Sequence, residues 1–247
     1  MALKIEHLSG GYAGTTVIKD LNLTIEPGQV LGLIGLNGAG KSTTIKHLLG
    51  LLRMQKGTIS LNGVELMQNP TKFKQMVSYI PETPILYPEL TLKEHIELVM
   101  LTYGLNQDKA WKRAHELCKM FRLDNKLDWL PINFSKGMKQ KVMLVTAFLA
   151  DSDLLVIDEP FTGLDPLAVA NFNDLIKQAA AQNKMVLMTT HVLAQAQEVV
   201  QKFAVLNNGT IEVEGSLEQI RKHYGLSDSE SFDRLYQILN QEQLHHE

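Results

Sequence analysis

Gly35-Leu36-Asn37-Gly38-Ala39-Gly40-Lys41-Ser42 fits the pattern G-x-x-x-x-G-K-[ST] without a mismatch. It stands between the apolar run Val30 to Ile34 and a helix-like stretch starting near Lys41. Strand before and helix after is the setting in which such a loop cradles phosphate. Glycines 35, 38 and 40 let backbone N–H groups turn inward around phosphate oxygens, while Lys41 reaches the terminal phosphates. The Ser42 hydroxyl is placed to ligate magnesium, and the following helix adds the positive end of its dipole. The loop therefore marks a nucleotide site, and alone it leaves open an ATPase, a GTPase or a small-molecule kinase.

At 247 residues with 45% hydrophobic content, the chain suits one large α/β domain or two small ones. A net charge of −3 lacks the basic footprint of a general nucleic-acid binder, so no nucleic-acid partner is expected. The lone cysteine, Cys118, sits in a helix-like stretch and reads as a partly buried thiol in a reducing, cytosolic setting. The N-terminus enters an alternating strand pattern with no apolar signal core. The longest near-apolar run, Val142 to Ala150, is far short of the roughly 20 residues a membrane span needs. Any membrane function is thus expected to be borrowed from a partner.

Short apolar or period-two runs at Leu3 to Leu8, Leu21 to Ile25, Val30 to Ile34, Thr58 to Leu61, Val77 to Ile80, Leu154 to Ile157, Met185 to Met188 and Phe203 to Leu206 predict strands. The later ones alternate with helix-like segments at Leu167 to Ala181 and Val192 to Val200, as in a parallel sheet. Between Glu82 and Leu154 the periodicity turns helical, which predicts a helical insert on an α/β core. Asn207-Asn208-Gly209-Thr210 reads as a hairpin turn, followed by a helix over about Leu217 to Tyr224. A polar hinge, Gly225 to Glu230, precedes an amphipathic tail carrying Phe232, Leu235, Tyr236 and Leu239. Spacing leaves open whether that tail docks on its own domain or on a partner.

Four further segments carry chemistry. Leu154 to Ile157 is an apolar strand ending in Asp158-Glu159; Asp158 suits magnesium, and Glu159 suits polarising the water that attacks a γ-phosphate. Met185 to Met188 ends in Thr189-Thr190-His191, where a histidine can donate to phosphate. Phe134-Ser135-Lys136-Gly137-Met138-Lys139-Gln140-Lys141 opens a long apolar helix with Ser135 as its N-cap, an anion site in its own right. Leu164-Asp165 precedes a helix-starting Pro166. Taken singly, the histidine and the capped helix have plainer readings as a surface residue and an ordinary helix start.

In this order the segments resemble the nucleotide-binding subunit of ATP-binding-cassette (ABC) transporters, over about Leu3 to Tyr224. The resemblance implies an α/β fold: a P-loop NTPase core of the RecA-like kind, an antiparallel β subdomain and a helical insert. It implies residues 1–224 as the nucleotide-binding domain, a helical subdomain over about 86–153, and a tail over 225–247. It assigns the Walker A loop to Gly35, Leu36, Asn37, Gly38, Ala39, Gly40, Lys41, Ser42 and Thr43. Asp158 and Glu159 become the Walker B acids, Glu159 the catalytic glutamate, Gly163 to Asp165 the D-loop, and His191 the switch histidine. Tyr12 matches the aromatic that stacks on adenine, and Phe134 to Met138 replaces the signature Leu-Ser-Gly-Gly-Gln, keeping Ser135 and Gly137.

ATP and Mg2+ are the implied ligands, with Ser42, Asp158 and Glu82 on the metal. Glu82 stands where the family usually has glutamine, so it adds negative charge beside the other acids. The strings Tyr79 to Pro84 and Phe134 to Lys141 look closer to one branch, the Ecs-type exporters, whose ATPase works with a separate membrane subunit, EcsB. The implied partners are a polytopic EcsB-like membrane subunit, contacted near Glu82 and the helical insert, and a second ATP-binding subunit in a homodimer. Function is then ATP-driven dimer closure energising transport at the cytoplasmic face of the membrane; a soluble ABC ATPase acting on ribosomes or DNA is the rival reading. Two strings are read as decoys: Leu8 to Gly11, a second Leu-Ser-Gly-Gly taken as a turn, and Asn125 to Asp128, a guanine-specificity look-alike taken as a surface helix end.

Overall fold

The computed structural model describes residues 1–190, 196–227 and 233–244. Among the described residues ten strands form two sheets. β1 (Leu3–Tyr12), β2 (Thr15–Ile25), β4 (Lys56–Leu61) and β5 (Val64–Glu65) make an antiparallel sheet in the order β2-β1-β4-β5. The larger sheet runs β10-β9-β3-β8-β7-β6, from β3 (Val30–Ile34), β6 (Val77–Ile80), β7 (Leu154–Asp158), β8 (Met185–Thr189), β9 (Lys202–Asn207) and β10 (Thr210–Gly215). All its neighbours are parallel except the β9–β10 hairpin. That hairpin turns at Asn208 and Gly209 with φ of 46° and 85°, the left-handed backbone that Asn-Gly supplies at little cost.

The wholly apolar strands are explained by burial on both faces. Leu31, Leu33, Leu154, Val156, Met185 and Leu187 point into a core shared with the antiparallel sheet. Their alternates, Val30, Ile34, Leu155, Ile157, Val186 and Met188, point into a second core built with the helices. A strand filling two cores has no polar face to show.

Among the described residues the helices are α1 (Lys41–Leu48), α2 (Pro70–Gln75), α3 (Leu92–Tyr103), α4 (Gln107–Met120), α5 (Lys136–Leu149), α6 (Pro166–Ala181), α7 (Leu217–His223) and α8 (Asp233–Leu244); the start of the helix expected over Val192 to Val200 lies outside them. Between β6 and β7 stand α3, α4, a short 3-10 turn and α5. Their starts are written in sequence: Thr91 and Glu94 form a capping box on α3, and Asn106 caps α4. Cys118 is buried, and burial, with Asp124 nearby, pushes its thiol up to about 11. In α8, Leu235 and Leu239 are fully buried in the helix-side core, so the tail docks on its own chain. Among the described residues no helix is long and apolar enough to cross a membrane.

Two expectations are corrected. Leu8 to Gly11 is no turn but part of β1. A side chain at Gly10 would meet the His47 imidazole at 2.5 Å, and one at Gly11 would meet the Thr15 carbonyl at 2.0 Å; these glycines serve close approach in a bulged strand. The turn falls at Ala13-Gly14 instead. Asn125 to Asp128 lies in turns beyond the end of α4 rather than on a helix end.

Candidate nucleotide site

The parallel strands β3, β6, β7 and β8 deliver their C-terminal ends to one edge of the sheet, where ligands bind in open α/β folds. β3 feeds the loop from Gly35, β6 leads to Glu82, β7 ends at Asp158 and β8 at Thr189. Together they line a cleft of about 660 Å3 containing Gly35, Leu36, Asn37, Gly38, Gly40, Lys41, Ser42, Thr43, Glu82, Asp158 and Glu159. Ala39 is buried under the loop.

At the start of α1, Gly40 is the N-cap with φ 115° and no side-chain cap. The first amides of the helix are thereby available to an anion, and no acidic residue in the first turn opposes one. The Lys41 ammonium folds back on the loop, 2.7 Å from the Gly35 carbonyl and 3.0 Å from that of Leu36. Burial lowers its pKa, and the fields of Glu159 and Asp158 push the other way.

Asp158 is buried, 8% exposed. It is register partner to Thr189 on β8, which places the Thr189 hydroxyl to donate to its Oδ1. The Glu159 amide donates to the Thr189 carbonyl at 3.2 Å, and Glu159 itself sits at φ 47°. A left-handed backbone on a non-glycine residue is costly and concentrates at working sites. Tyr79, at the end of β6, has its hydroxyl pushed up to about 12 by burial first and then by Asp158 and Glu82. Asp158 and Glu82 therefore both act on one side chain at this end of the cleft. Among the described residues no three His, Cys, Asp or Glu side chains gather closely enough to hold a metal alone.

Tyr12 stands beside the loop, not in the cleft lining. Tyr12 is 42% exposed, with the Lys46 ammonium 5.4 Å from its ring centroid. Burial raises the phenol's pKa, but hydrogen bonding to Thr43 and Lys46 outweighs it, for a net lowering.

Ser135, Gly137 and Asp165 lie outside the cleft lining. The Ser135 hydroxyl accepts the Met138 amide at 3.3 Å, capping α5. Asp165 caps α6 by accepting the Ala168 amide at 2.9 Å and pairs with Lys141 of α5; Lys141 first and that amide second hold its carboxyl below the usual range. A side chain at Gly137 would meet the Gly163 carbonyl at 2.6 Å. The segment Gly163–Asp165 and the start of α5 are thus fastened to each other. His191 lies outside the described residues.

Sequence reasoning missed two members of the cleft wall, Tyr236 and Asn240 of α8. It also missed Thr189 as the residue that holds Asp158. The signal for the first two was present as an i, i+4 pair one position beyond Leu235 and Leu239.

Residues 18–162 match the family model described as ABC transporter. The chain is 46% identical over 245 residues, 99% of each chain, to the ABC-type transporter ATP-binding protein EcsA of Bacillus subtilis (strain 168). It is 39% identical to the uncharacterized ABC transporter ATP-binding protein YthP of the same organism, over 92% of each. A solved ATP-binding subunit of an ABC transporter superposes with a TM-score of 0.92 at 44% identity, covering 97% of this chain and 100% of that one. The loop, the acids and the two-sheet scaffold are those of one family, and the chain belongs to the ATP-binding subunits of ABC transporters.

Proposed function

We propose that this chain binds and hydrolyses ATP with Mg2+ and energises an exporter, as one half of a dimer that closes on nucleotide beneath a separate, EcsB-like membrane subunit. The observation that carries this is the division of the site. Phosphate loop, Lys41, Asp158 and Glu159 share a cleft, while Ser135 and Gly137 lie outside it.

In this reading Tyr12 stacks on adenine. The amides of Gly38 to Ser42 and the Lys41 ammonium hold the phosphates. The Ser42 hydroxyl and the Asp158 and Glu82 carboxylates would hold Mg2+, which would supply positive charge against the phosphates. Thr189 keeps Asp158 oriented. Glu159 accepts a proton from the water that attacks the γ-phosphorus, the bond from γ-phosphorus to the bridging oxygen breaks, and ADP and phosphate leave. His191 donates to the γ-phosphate. Ser135 and Gly137 of the facing subunit close the site, with Asp165 in the loop between. Residues 1–224 are the working domain, with the insert over about 86–153 as its coupling arm.

The exposed Ile85 and Tyr87, just past Glu82, and Leu101 on α3 give a membrane subunit an apolar footing. Association through that subunit places the chain at the cytoplasmic face of the membrane.

Replacing Glu159 with glutamine tests the reading: ATP affinity is retained, turnover falls about 10²- to 10⁴-fold, and the protein runs as a dimer with ATP on gel filtration. Brisk turnover contradicts it. Glu82→Gln is expected to make ATP affinity less dependent on magnesium; an identical magnesium titration removes Glu82 from the metal.

A further inference from the structure

The helix α8 follows the last strand by a long stretch, yet it forms part of the cleft wall. Leu235 and Leu239, four residues apart, seat one stripe of the helix in the core. The next stripe, Tyr236 and Asn240, faces the cleft alongside Lys41, Asp158 and Glu159. The Tyr236 hydroxyl donates to the carbonyl of Thr190 at 3.2 Å, and Thr190 is fully buried.

The neighbouring residue, Thr189, is the one whose hydroxyl holds Asp158 and whose carbonyl takes the Glu159 amide. Three hydrogen bonds therefore meet at the end of β8: two set the acids, and the third anchors that strand end to α8.

We propose that Tyr236 is a positioning residue for ATP hydrolysis, holding the end of β8 so that Thr189 keeps Asp158 and Glu159 in register with the phosphate loop. Asn240, one turn further along, lines the same wall. The inference rests on reading the cleft as the ATP site. Catalysis demands placement of such groups to within a fraction of an ångström, so losing one tie moves the rate more than it moves binding.

The test uses the full chain carrying Tyr236→Phe, which removes one oxygen and keeps the ring. The expected result is a kcat about three- to tenfold lower, the size of one neutral hydrogen bond felt in the transition state. KM is expected to stay within about twofold, with ATP affinity in a Glu159→Gln background unchanged and the melting temperature lower by only a few degrees, the size of one hydrogen bond. Leu239→Glu, which lifts the helix, should reproduce that kcat loss, and joining it to Tyr236→Phe should add nothing further, as coupled residues do. An unchanged kcat overturns the proposal, and so does a rise, which would make α8 a restraint on turnover. A loss of kcat in Tyr236→Phe matched by an equal loss of ATP affinity, or full additivity of the two substitutions, overturns it as well. If Lys41→Ala leaves ATP affinity intact, the site reading itself fails; if it abolishes affinity while Tyr236→Phe matches wild type, only the role of α8 fails.

Discussion

Two helix N-termini in this protein belong to the proposed nucleotide site, and they are finished differently. At α1 the cap is Gly40, left-handed and without a side-chain hydrogen bond, so the first amides are held open inside a cleft with Lys41. At α5 the cap is Ser135, whose hydroxyl already accepts the Met138 amide, and the residue lies outside the cleft lining. The first terminus is a complete phosphate cradle. The second is a capped helix, which the proposed function turns into a site when it is brought to a nucleotide held elsewhere. The proposed function gives this difference its meaning, because in that reading the binding half and the closing half of the site are kept apart.

The largest effect belongs to the cradle. Lys41→Ala removes charged hydrogen bonds to phosphate, and ATP affinity is expected to fall by about 100-fold or more, as read by titration calorimetry; retained affinity would break the distinction between the two termini. A smaller and different effect belongs to α5. Gly137→Ala puts a methyl 2.6 Å from the Gly163 carbonyl, a backbone atom that must give way. ATP binding is expected to survive while turnover falls, with stability lower by about 1–3 kcal/mol from overpacking. Loss of nucleotide binding in that variant would place α5 in the cradle after all.

The smallest effect is a pH signature confined to α1. His47 lies fully buried in that helix beneath β1, whereas α5 buries no titratable side chain. Burial lowers the His47 pKa below 6.5, and the hydrogen bond with the Leu52 carbonyl opposes this only in part. As pH falls through 6.5 the unfolded chain gains a proton that the folded chain resists, so stability declines toward acid. His47→Gln is expected to flatten the melting temperature profile between about pH 7 and 5; an unaltered slope removes His47 from the acid response.

How much of this was legible in the sequence follows from how local each feature is. The phosphate loop, the strand carrying Asp158 and Glu159, the Ser135 cap and the Asn208-Gly209 turn depend on short-range geometry, and spacing alone placed them. Leu8 to Gly11 misled because glycine serves both turns and close packing, and only the fold puts the His47 imidazole against Gly10. That Tyr236 and Asn240 reach the cleft while Leu235 and Leu239 enter the core depends on where a tail far along the chain from the phosphate loop lands. Periodicity reports that a helix has two faces and is silent on what each face meets.

The central claim is that one chain supplies the cradle and another supplies Ser135 and Gly137. It is tested by mixing two inactive variants, Lys41→Ala and Ser135→Arg, in equal amounts with ATP and Mg2+ and measuring turnover. In a mixed dimer both substitutions fall in one site, and the other site is wild type. Random pairing in a two-fold symmetric dimer then returns about a quarter of wild-type activity. A mixture as inactive as its two components contradicts the account, because it would mean that each chain completes its own site.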